Sequence, residues 1–212
     1  VNEWISLRRA NKARQYLVQN SDVLPGMLVA DAGVGPGLMS QIILLRYKLN
    51  SIVILDVSKK MLKAAKENLI RFKAEILAVR CAFEYLPFKN NIFDRIFVSF
   101  ALQDSVLKKL AIEEFHRTCK NGGLLLIANV GKPDNAIIQF LMTFYMRFLM
   151  PTIAKILTQK ISKNPWKSLT VVFKKLPTNN SLRKMLEETF GEAYLRRFLL
   201  GGIISIIARK RI

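Results

Sequence analysis

The sequence has 212 residues, of which 51% are hydrophobic, and its 34 Lys and Arg against 15 Asp and Glu give a net charge of +19. This apolar share excludes a disordered basic tail and is sufficient for a core of ordinary size. A chain of this length usually forms one domain, so we expect residues 1–212 to form a single domain. Cys81 and Cys119 provide neither a disulfide framework nor a zinc-type spacing, and we expect no metal site.

Predicted strands and helices alternate along most of the chain. The predicted strands are Met27–Ala30, Ser51–Leu55, Glu75–Arg80, Arg95–Phe100 and Leu124–Val130. The predicted helices are Glu3–Gln19, Leu38–Leu49, one that begins after the N-cap Ser58, and Leu107–Cys119, which ends before Lys120–Gly123. Alternation at this spacing implies βαβ units, and therefore an α/β fold whose parallel sheet is covered by helices on both faces.

Two further strands are predicted near the end of the chain. Ala193–Leu200 and Ile203–Ala208 flank the dipeptide Gly201-Gly202, which is typical of a two-residue hairpin. We therefore expect the last two strands to pair antiparallel at one edge of the sheet. The residues between the fifth and sixth strands, at about 133–186, form a predicted insertion.

The insertion begins with an apolar helix that Pro151 ends. Phe140, Phe144 and Phe148 lie four residues apart, as do Met142, Met146 and Met150. Two interpretations fit so wide an apolar face: a helix buried in the core or in a homodimer interface, and a lid over a lipophilic substrate. Lysines interleaved with aromatic residues follow, which suits an anionic membrane surface. They are Lys155, Lys160, Lys163, Lys167, Lys174 and Lys175, with Trp166 and Phe173.

The basic charge is concentrated in the last part of the chain. Residues 132–212 contain 15 bases and four acids, and Asn135–Leu186 contains no acid. Such a surface attracts the phosphates of RNA or of lipid headgroups, and the net charge does not choose between them. No segment has the roughly 18 uncharged apolar residues that cross a bilayer, and the N-terminal residues lack the apolar run of a signal peptide. We expect a cytoplasmic protein that is attached to a membrane, if at all, at its surface.

A glycine-rich loop follows the first predicted strand. Because Gly33, Gly35 and Gly37 have no Cβ, the chain can turn sharply there and approach a ligand closely. The next helix offers free N–H groups at its N-terminus. The Gly-x-Gly-x-Gly spacing differs from the Gly-x-Gly-x-x-Gly loop that binds the pyrophosphate of a dinucleotide.

Two carboxylates indicate which ligand this loop binds. Asp31 lies two residues before Gly33, where it would repel phosphate but accept hydrogen bonds from an ammonium group. Asp56 ends the second predicted strand, 25 residues after Asp31, near the position of ribose-binding acids in nucleotide folds. S-adenosylmethionine carries both an ammonium group and an adenosine, and we predict that it is the cofactor.

The chain resembles class I S-adenosylmethionine-dependent methyltransferases, and within them the ubiquinone/menaquinone biosynthesis C-methyltransferase family. The matching stretches are Val29–Gly37, Leu55–Leu62, Glu84–Asp94, Glu114–Gly123, Gly131–Pro133 and Gly202–Ile204. The resemblance implies a Rossmann-like, mostly parallel sheet of seven strands whose last strand is antiparallel. It also implies that Phe83 and Glu84 lie beside the adenine. The remaining predicted cofactor-binding residues are Val57 and Phe100.

The sequence departs from the family at two places. Ala82 stands where the family has an aspartate that accepts from the adenine amino group, and Gln103-Asp104 replaces the usual Arg-Asn. Asp104 follows the fourth strand, where ligands bind in such sheets, and it is the predicted catalytic base. An N-cap for the next helix is the alternative role for this residue. Asn129 is a second polar candidate at the same edge.

His116, Cys81 and Cys119 are weaker candidates for chemistry. His116 is the single histidine, but it lies in the middle of a predicted helix away from the cofactor loop. The two cysteines suit packing better than nucleophilic catalysis.

Three functions fit the sequence. The first is methylation of a prenylated quinone precursor or a similar lipophilic small molecule at the membrane surface. The second is methylation of RNA that is bound by the basic surface. The third is a non-catalytic module that binds S-adenosylmethionine.

Overall fold

Seven strands form one sheet in the computed structural model, which describes residues 9–149 and 173–211. The strands are β1 (Val29–Ala32), β2 (Ser51–Asp56), β3 (Glu75–Arg80), β4 (Phe93–Ser99), β5 (Cys119–Val130), β6 (Gly191–Phe198) and β7 (Ile203–Lys210). Their order across the sheet is β3-β2-β1-β4-β5-β7-β6. The first five are parallel, and β7 is antiparallel to both β5 and β6. This arrangement confirms the predicted α/β fold with an antiparallel last strand.

Helices cover both faces of the sheet. They are α1 (Arg9–Gln19), α2 (Leu38–Arg46), α3 (Lys59–Leu69), α4 (Lys108–Thr118), α5 (Ala136–Phe144) and α6 (Asn179–Phe190). Leu17, Ile43 and Leu69 of α1, α2 and α3 are fully buried on one face. Phe115 of α4 and Phe190 of α6 are buried on the other face. The β1 side chains are all buried because the strand lies between these two layers.

Most element boundaries lie within three residues of the predicted ones, and the larger difference is at the start of β5. Strand β1 ends two residues later than predicted, because the small Ala32 and the buried Asp31 continue it. Strand β5 begins at Cys119, before the predicted start at Leu124. Cys119 pairs with Phe93 of β4, and the register between the two strands shifts before pairing resumes at Leu124 and Arg95. Lys120–Gly123, predicted as a helix end, are therefore part of an irregular strand.

The hairpin between β6 and β7 is longer than predicted. Instead of turning at Gly201-Gly202 alone, the chain leaves β6 after Phe198 and makes one turn of 3-10 helix, Leu199–Gly201. Leu199 and Leu200 have left-handed backbone conformations, with φ of 49° and 54°. No feature of the sequence predicts a left-handed conformation for these two leucines.

Lys210, at the end of β7, binds the C-terminal end of α4. Its Nζ donates to the carbonyl oxygens of His116 and Cys119, at 2.8 and 2.9 Å, and to Asn91 Oδ1 at 2.8 Å. A cation at a helix C-terminus satisfies carbonyl groups that have no partner within the helix. The last strand is thereby attached to the helix layer.

The insertion is only partly described. Helix α5 begins at the N-cap Asn135, whose side chain accepts from Ile137 N and Ile138 N, and none of its residues is buried. It is therefore not a core helix of the monomer. Phe173, predicted to lie among exposed lysines, is instead buried. The predicted break at Pro151, the stretch Lys155–Lys167 with its Trp166, and the start of the predicted first helix lie outside the described residues. Within residues 9–149 and 173–211, no helix has the length and apolar character required to span a bilayer.

Candidate functional site

A cavity of about 530 Å³ lies at the carboxyl ends of β1, β2 and β4. This is the edge at which parallel α/β sheets bind ligands, and the volume is within the usual range for a small-molecule site. Eight of the predicted site residues line the cavity: Gly33, Gly35, Asp56, Val57, Phe83, Glu84, Phe100 and Asp104. Asp31 and Gly37 do not line it.

The glycine loop forms the floor of the cavity. The N–H groups of Gly33 and Val34 both donate to the carbonyl oxygen of Leu55, at 2.8 and 2.9 Å. Gly33 has a φ of +72°, and a Cβ on it would overlap the Cβ of Ala101. Gly35 has a φ of +52°, and a Cβ there would meet no atom within 4 Å. The backbone at Gly35 therefore faces open space that a ligand can occupy, whereas the backbone at Gly33 packs against protein.

Gly37 has a structural role. It is the N-cap of α2 with a φ of +90°, and a Cβ on it would lie 3.5 Å from the Cα of Ala65 in α3. A left-handed residue that lies against a neighbouring helix favours glycine.

Asp56 holds two loops together at the cavity wall. Its Oδ2 accepts from Gly35 N at 3.0 Å, and its Oδ1 accepts from Ser58 N at 2.8 Å. Ser58 is in turn the N-cap of α3, as predicted, and accepts from Met61 N. A carboxylate has further lone pairs, so Asp56 can hold both loops and still accept from the two hydroxyls of a ribose.

Asp31 lies behind the cavity. It is fully buried, and its Oδ2 accepts from Ser40 N at 3.0 Å and Ser40 Oγ at 2.5 Å. Its Oδ1 has no hydrogen-bond partner among the described residues. Burial raises the pKa of this carboxyl from 3.8 to about 6, although the bonds from Ser40 and the charge of Arg14 oppose the rise. Asp31 thus fixes the first turn of α2, and with it the loop that precedes this helix.

Phe83 and Glu84, which the resemblance implies beside the adenine, both line the cavity. The Phe83 ring packs against Phe115, with ring centroids 5.3 Å apart. Glu84 Oε1 accepts from Ser105 Oγ at 2.6 Å and from Leu107 N at 3.4 Å. This carboxylate therefore connects the segment after β3 to the segment after β4.

Asp104 lies exposed at the mouth of the cavity, in a short 3-10 helix, Leu102–Asp104. Partial desolvation of the carboxyl by the surrounding protein raises its pKa above the ordinary value, and the charge of Lys108 partly opposes this rise. The N-cap of α4 is Leu107, so the alternative role of Asp104 as that N-cap is not observed. Asn129 lies elsewhere: it is buried and lines a separate cavity of about 10 Å³ with Lys108 and Asn179.

The histidine and the cysteines lie outside the cavity. The His116 ring packs edge-on against Phe190 at 5.1 Å, and burial lowers the pKa of its imidazole. Burial raises the pKa of the Cys81 thiol to about 11 and that of Cys119 to about 12. Thiols with such pKa values are poor nucleophiles at neutral pH.

Arg14 is a lining residue that sequence reasoning missed. It belongs to α1, and its Nε donates to Ser99 Oγ at 2.8 Å. Among the described residues that line the cavity, it is the single cation, beside the carboxylates of Asp56, Glu84 and Asp104. No motif marks it, because its place in the site depends on a contact between residues 85 positions apart.

These residues fit S-adenosylmethionine. The cavity has open space at the Gly35 backbone, an acid where a ribose would lie, and more carboxylates than cations, which suits a cofactor of net positive charge. The fold and the site define the class: the protein is a Rossmann-like methyltransferase whose cofactor is S-adenosylmethionine.

The chain belongs to the ubiE/COQ5 methyltransferase family, whose sequence model matches residues 1–210. It is 27% identical over 197 residues to a ubiquinone/menaquinone biosynthesis C-methyltransferase of Teredinibacter turnerae, which covers 91% of this chain and 78% of that protein. It is 28% identical over 196 residues to the protein of the same description from Pseudoalteromonas translucida, with 91% and 77% covered. An S-adenosylmethionine-dependent methyltransferase of Aquifex aeolicus shares the fold, with a TM-score of 0.60 and 16% identity over 92% of this chain and 88% of that one.

The buried carboxyl of Asp31 makes stability depend on pH. The ligand-free folded protein holds this proton up to a pH of about 6, whereas the unfolded chain releases it near 3.8. The folded state therefore binds more protons between these values, and the free energy of unfolding falls as the pH rises through this window. Asn at position 31 has no such proton to lose. Between about pH 4 and about pH 7, the free energy of unfolding of Asp31→Asn should therefore rise by about 3 kcal/mol relative to that of the parent.

Urea unfolding of both proteins at a series of pH values measures this difference. Glu67→Gln, at an exposed position on α3, is the control and should follow the profile of the parent. Parallel profiles for the Asp31 variant and the parent would contradict the assignment.

Proposed function

We propose that the protein transfers the methyl group of S-adenosylmethionine to a carbon atom of a prenylated quinone precursor or a similar lipophilic phenol, at the cytoplasmic surface of a membrane. The names of its relatives support the quinone class. The proposal that the methyl acceptor is lipophilic rests on one observation. An exposed apolar surface lies beside the edge of the sheet where the cofactor cavity is found.

This apolar surface is formed by α5 and the π-helical turn Tyr145–Leu149. The chain enters α5 from the carboxyl end of β5, which is the edge that carries the cavity. The exposed fractions are Ile137 70%, Phe140 69%, Leu141 57%, Phe144 48% and Phe148 54%. Five large apolar side chains exposed within twelve residues mark an interaction surface. Arg147 lies over the Phe148 ring, an arrangement suited to the boundary between acyl chains and headgroups.

The chemistry requires an acceptor carbon that is electron-rich and a route for its proton. When bound, the cofactor supplies an electrophilic methyl group on sulfur. A new carbon–carbon bond replaces the methyl–sulfur bond, whose electron pair stays on the sulfur of the departing S-adenosylhomocysteine. The acceptor carbon then releases its proton to water, which restores the aromatic ring. Asp104, at the mouth of the cavity, can take the phenolic proton that makes the ring a better nucleophile. The raised pKa of its carboxyl makes it a stronger base than an ordinary aspartate.

Transfer of a radiolabelled methyl group into a total lipid extract and into total RNA tests the substrate class. We expect the label in the lipid fraction, in a bond that resists acid and base hydrolysis, because it joins two carbon atoms. Asp56→Ala, which removes the predicted ribose acceptor, is the negative control. Label in RNA with none in lipid would overturn the proposal in favour of RNA methylation.

Asp104→Asn tests the proposed base. We expect kcat to fall about 10²- to 10⁴-fold, because the amide cannot take a proton, with cofactor affinity unchanged. Asp22→Asn is the matched control, because this aspartate is exposed and its left-handed backbone conformation suits asparagine. Steady-state kinetics over a pH series provides the measurement. A variant with the kcat of the parent would exclude Asp104 as the base.

Sedimentation with anionic liposomes tests the membrane surface. Replacement of both Phe140 and Phe144 by Ser should reduce binding about tenfold or more, because it removes two exposed apolar rings whose burial in the bilayer favours binding. The control is Leu45→Ser with Ile70→Ser, at two apolar positions in the N-terminal half that are more exposed than Phe140 and Phe144. Equal liposome binding by all three proteins would contradict the membrane-facing assignment.

A further inference from the structure

We propose that two copies of this chain associate through the outer edge of β6, so that their sheets join into one sheet about a two-fold axis. No residue of β6 lines the cofactor cavity, and the pairing does not depend on the identity of the methyl acceptor. Three features of β6 support it: a free edge, the direction of its backbone groups and the pattern of its side chains.

Strand β6 lies at one end of the sheet. Among the described residues it pairs with β7 alone, so its other edge presents a row of backbone donors and acceptors that can pair with another chain. Prolines and β-bulges commonly protect such edges. Strand β6 contains no proline, and its register with β7 is unbroken from Gly191 to Phe198. The edge is therefore regular enough to accept a further strand.

The phase of the β6–β7 ladder determines which backbone groups face outward. Arg211 N donates to Phe190 O at 2.9 Å, one residue beyond the start of the ladder. Hydrogen-bonded and non-hydrogen-bonded pairs alternate in an antiparallel ladder, so the even-numbered residues of β6 bond to β7. The N–H and C=O groups of Ala193, Leu195 and Arg197 therefore face the outer edge.

The side chains of β6 are complementary to a second copy of the same strand. In an antiparallel pair whose two-fold axis passes at Tyr194, Glu192 of each copy lies opposite Arg196 of the other. Ala193 then lies opposite Leu195, and the outward backbone groups of these two residues form the hydrogen-bonded pairs. The two Glu192–Arg196 contacts occupy non-hydrogen-bonded positions, where facing side chains are closest. One charge pair is thus made twice, as a self-complementary two-fold interface requires.

The residues of this contact are available to a second copy. Tyr194 is 64% exposed. Arg196 is exposed, and its guanidinium lies over the Tyr16 ring with its Cζ 4.9 Å from the centroid, so its in-plane N–H groups can still donate. Arg209 of β7 stands opposite Glu192 in the ladder, but among the described residues neither Glu192 nor Arg196 forms an ion pair. Both charges therefore lack an opposite charge that the second copy supplies.

Charge reversal across the two-fold axis tests this pairing. Glu192→Arg places two like-charged pairs in the interface, and Arg196→Glu does the same, because each contact occurs twice. Each variant should weaken the dimer about tenfold or more, whereas the double variant, which exchanges the two charges, should recover most of the parent affinity. Sedimentation equilibrium of the full chain between about 1 and about 100 μM measures the association. Salt at about 0.15 M screens the repulsion between two chains of net charge +19.

A matched exchange of charges elsewhere on the surface is the control. Lys63→Glu with Glu67→Arg reverses an exposed ion pair on α3 and should leave the dimer affinity within about twofold of the parent value. Far-UV circular dichroism verifies that each variant is folded. Hydrogen exchange gives a second readout, because the amides of Ala193 and Leu195 should be protected in the dimer and exchange faster after dilution to the monomer.

Three results would overturn the proposal. The first is a parent protein that stays monomeric over the whole concentration range. The second is a pair of single variants that associate as the parent does, which would place any dimer contact on another surface. The third is a double variant that associates as weakly as the single ones, because Glu192 and Arg196 would then not face each other. None of these results bears on the methyl acceptor.

Discussion

The two hydrogen bonds that Asp56 accepts hold the cofactor site in one arrangement. One carboxylate takes the Gly35 N–H from the loop after β1 and the Ser58 N–H from the turn before α3. Without it, both backbone donors would need other partners, and the glycine loop would lose its contact with the neighbouring strand end. A ribose that binds the same carboxylate therefore contacts a group whose position is already determined. This preorganisation reduces the conformational entropy that binding would otherwise cost.

Much of the fold follows from the sequence, because buried parallel strands and amphipathic helices produce different patterns. The order of elements, the N-cap at Ser58 and the antiparallel end of the sheet were all predictable. The strand ends were not, because a strand buried on both faces has no alternation to mark where it stops. The same holds for the turn at Leu199 and Leu200, whose left-handed conformations are imposed by the tertiary structure.

The site was predictable where its chemistry is local in the chain. Gly33, Gly35 and Asp56 line the cavity as the loop spacing indicated. Asp31 was identified by the same spacing, but the sequence could not show that the carboxylate points to Ser40, behind the cavity wall. Arg14 gave no local signal, since its side chain reaches Ser99 only because α1 packs against β5, β7 and α2. Residues whose role depends on such long-range contacts require the three-dimensional structure.

The position of β7 has a consequence for biosynthesis. It is the last of the seven strands in chain order, yet it lies inside the sheet, between β5 and β6. While the ribosome is still translating its codons, β5 has an unpaired edge, and β6 has no neighbour to join. A nascent chain at that stage exposes an aggregation-prone edge that is covered only when β7 emerges from the exit tunnel. Early termination within this strand would therefore leave a sheet of five strands with an open side, a substrate for chaperones or proteases.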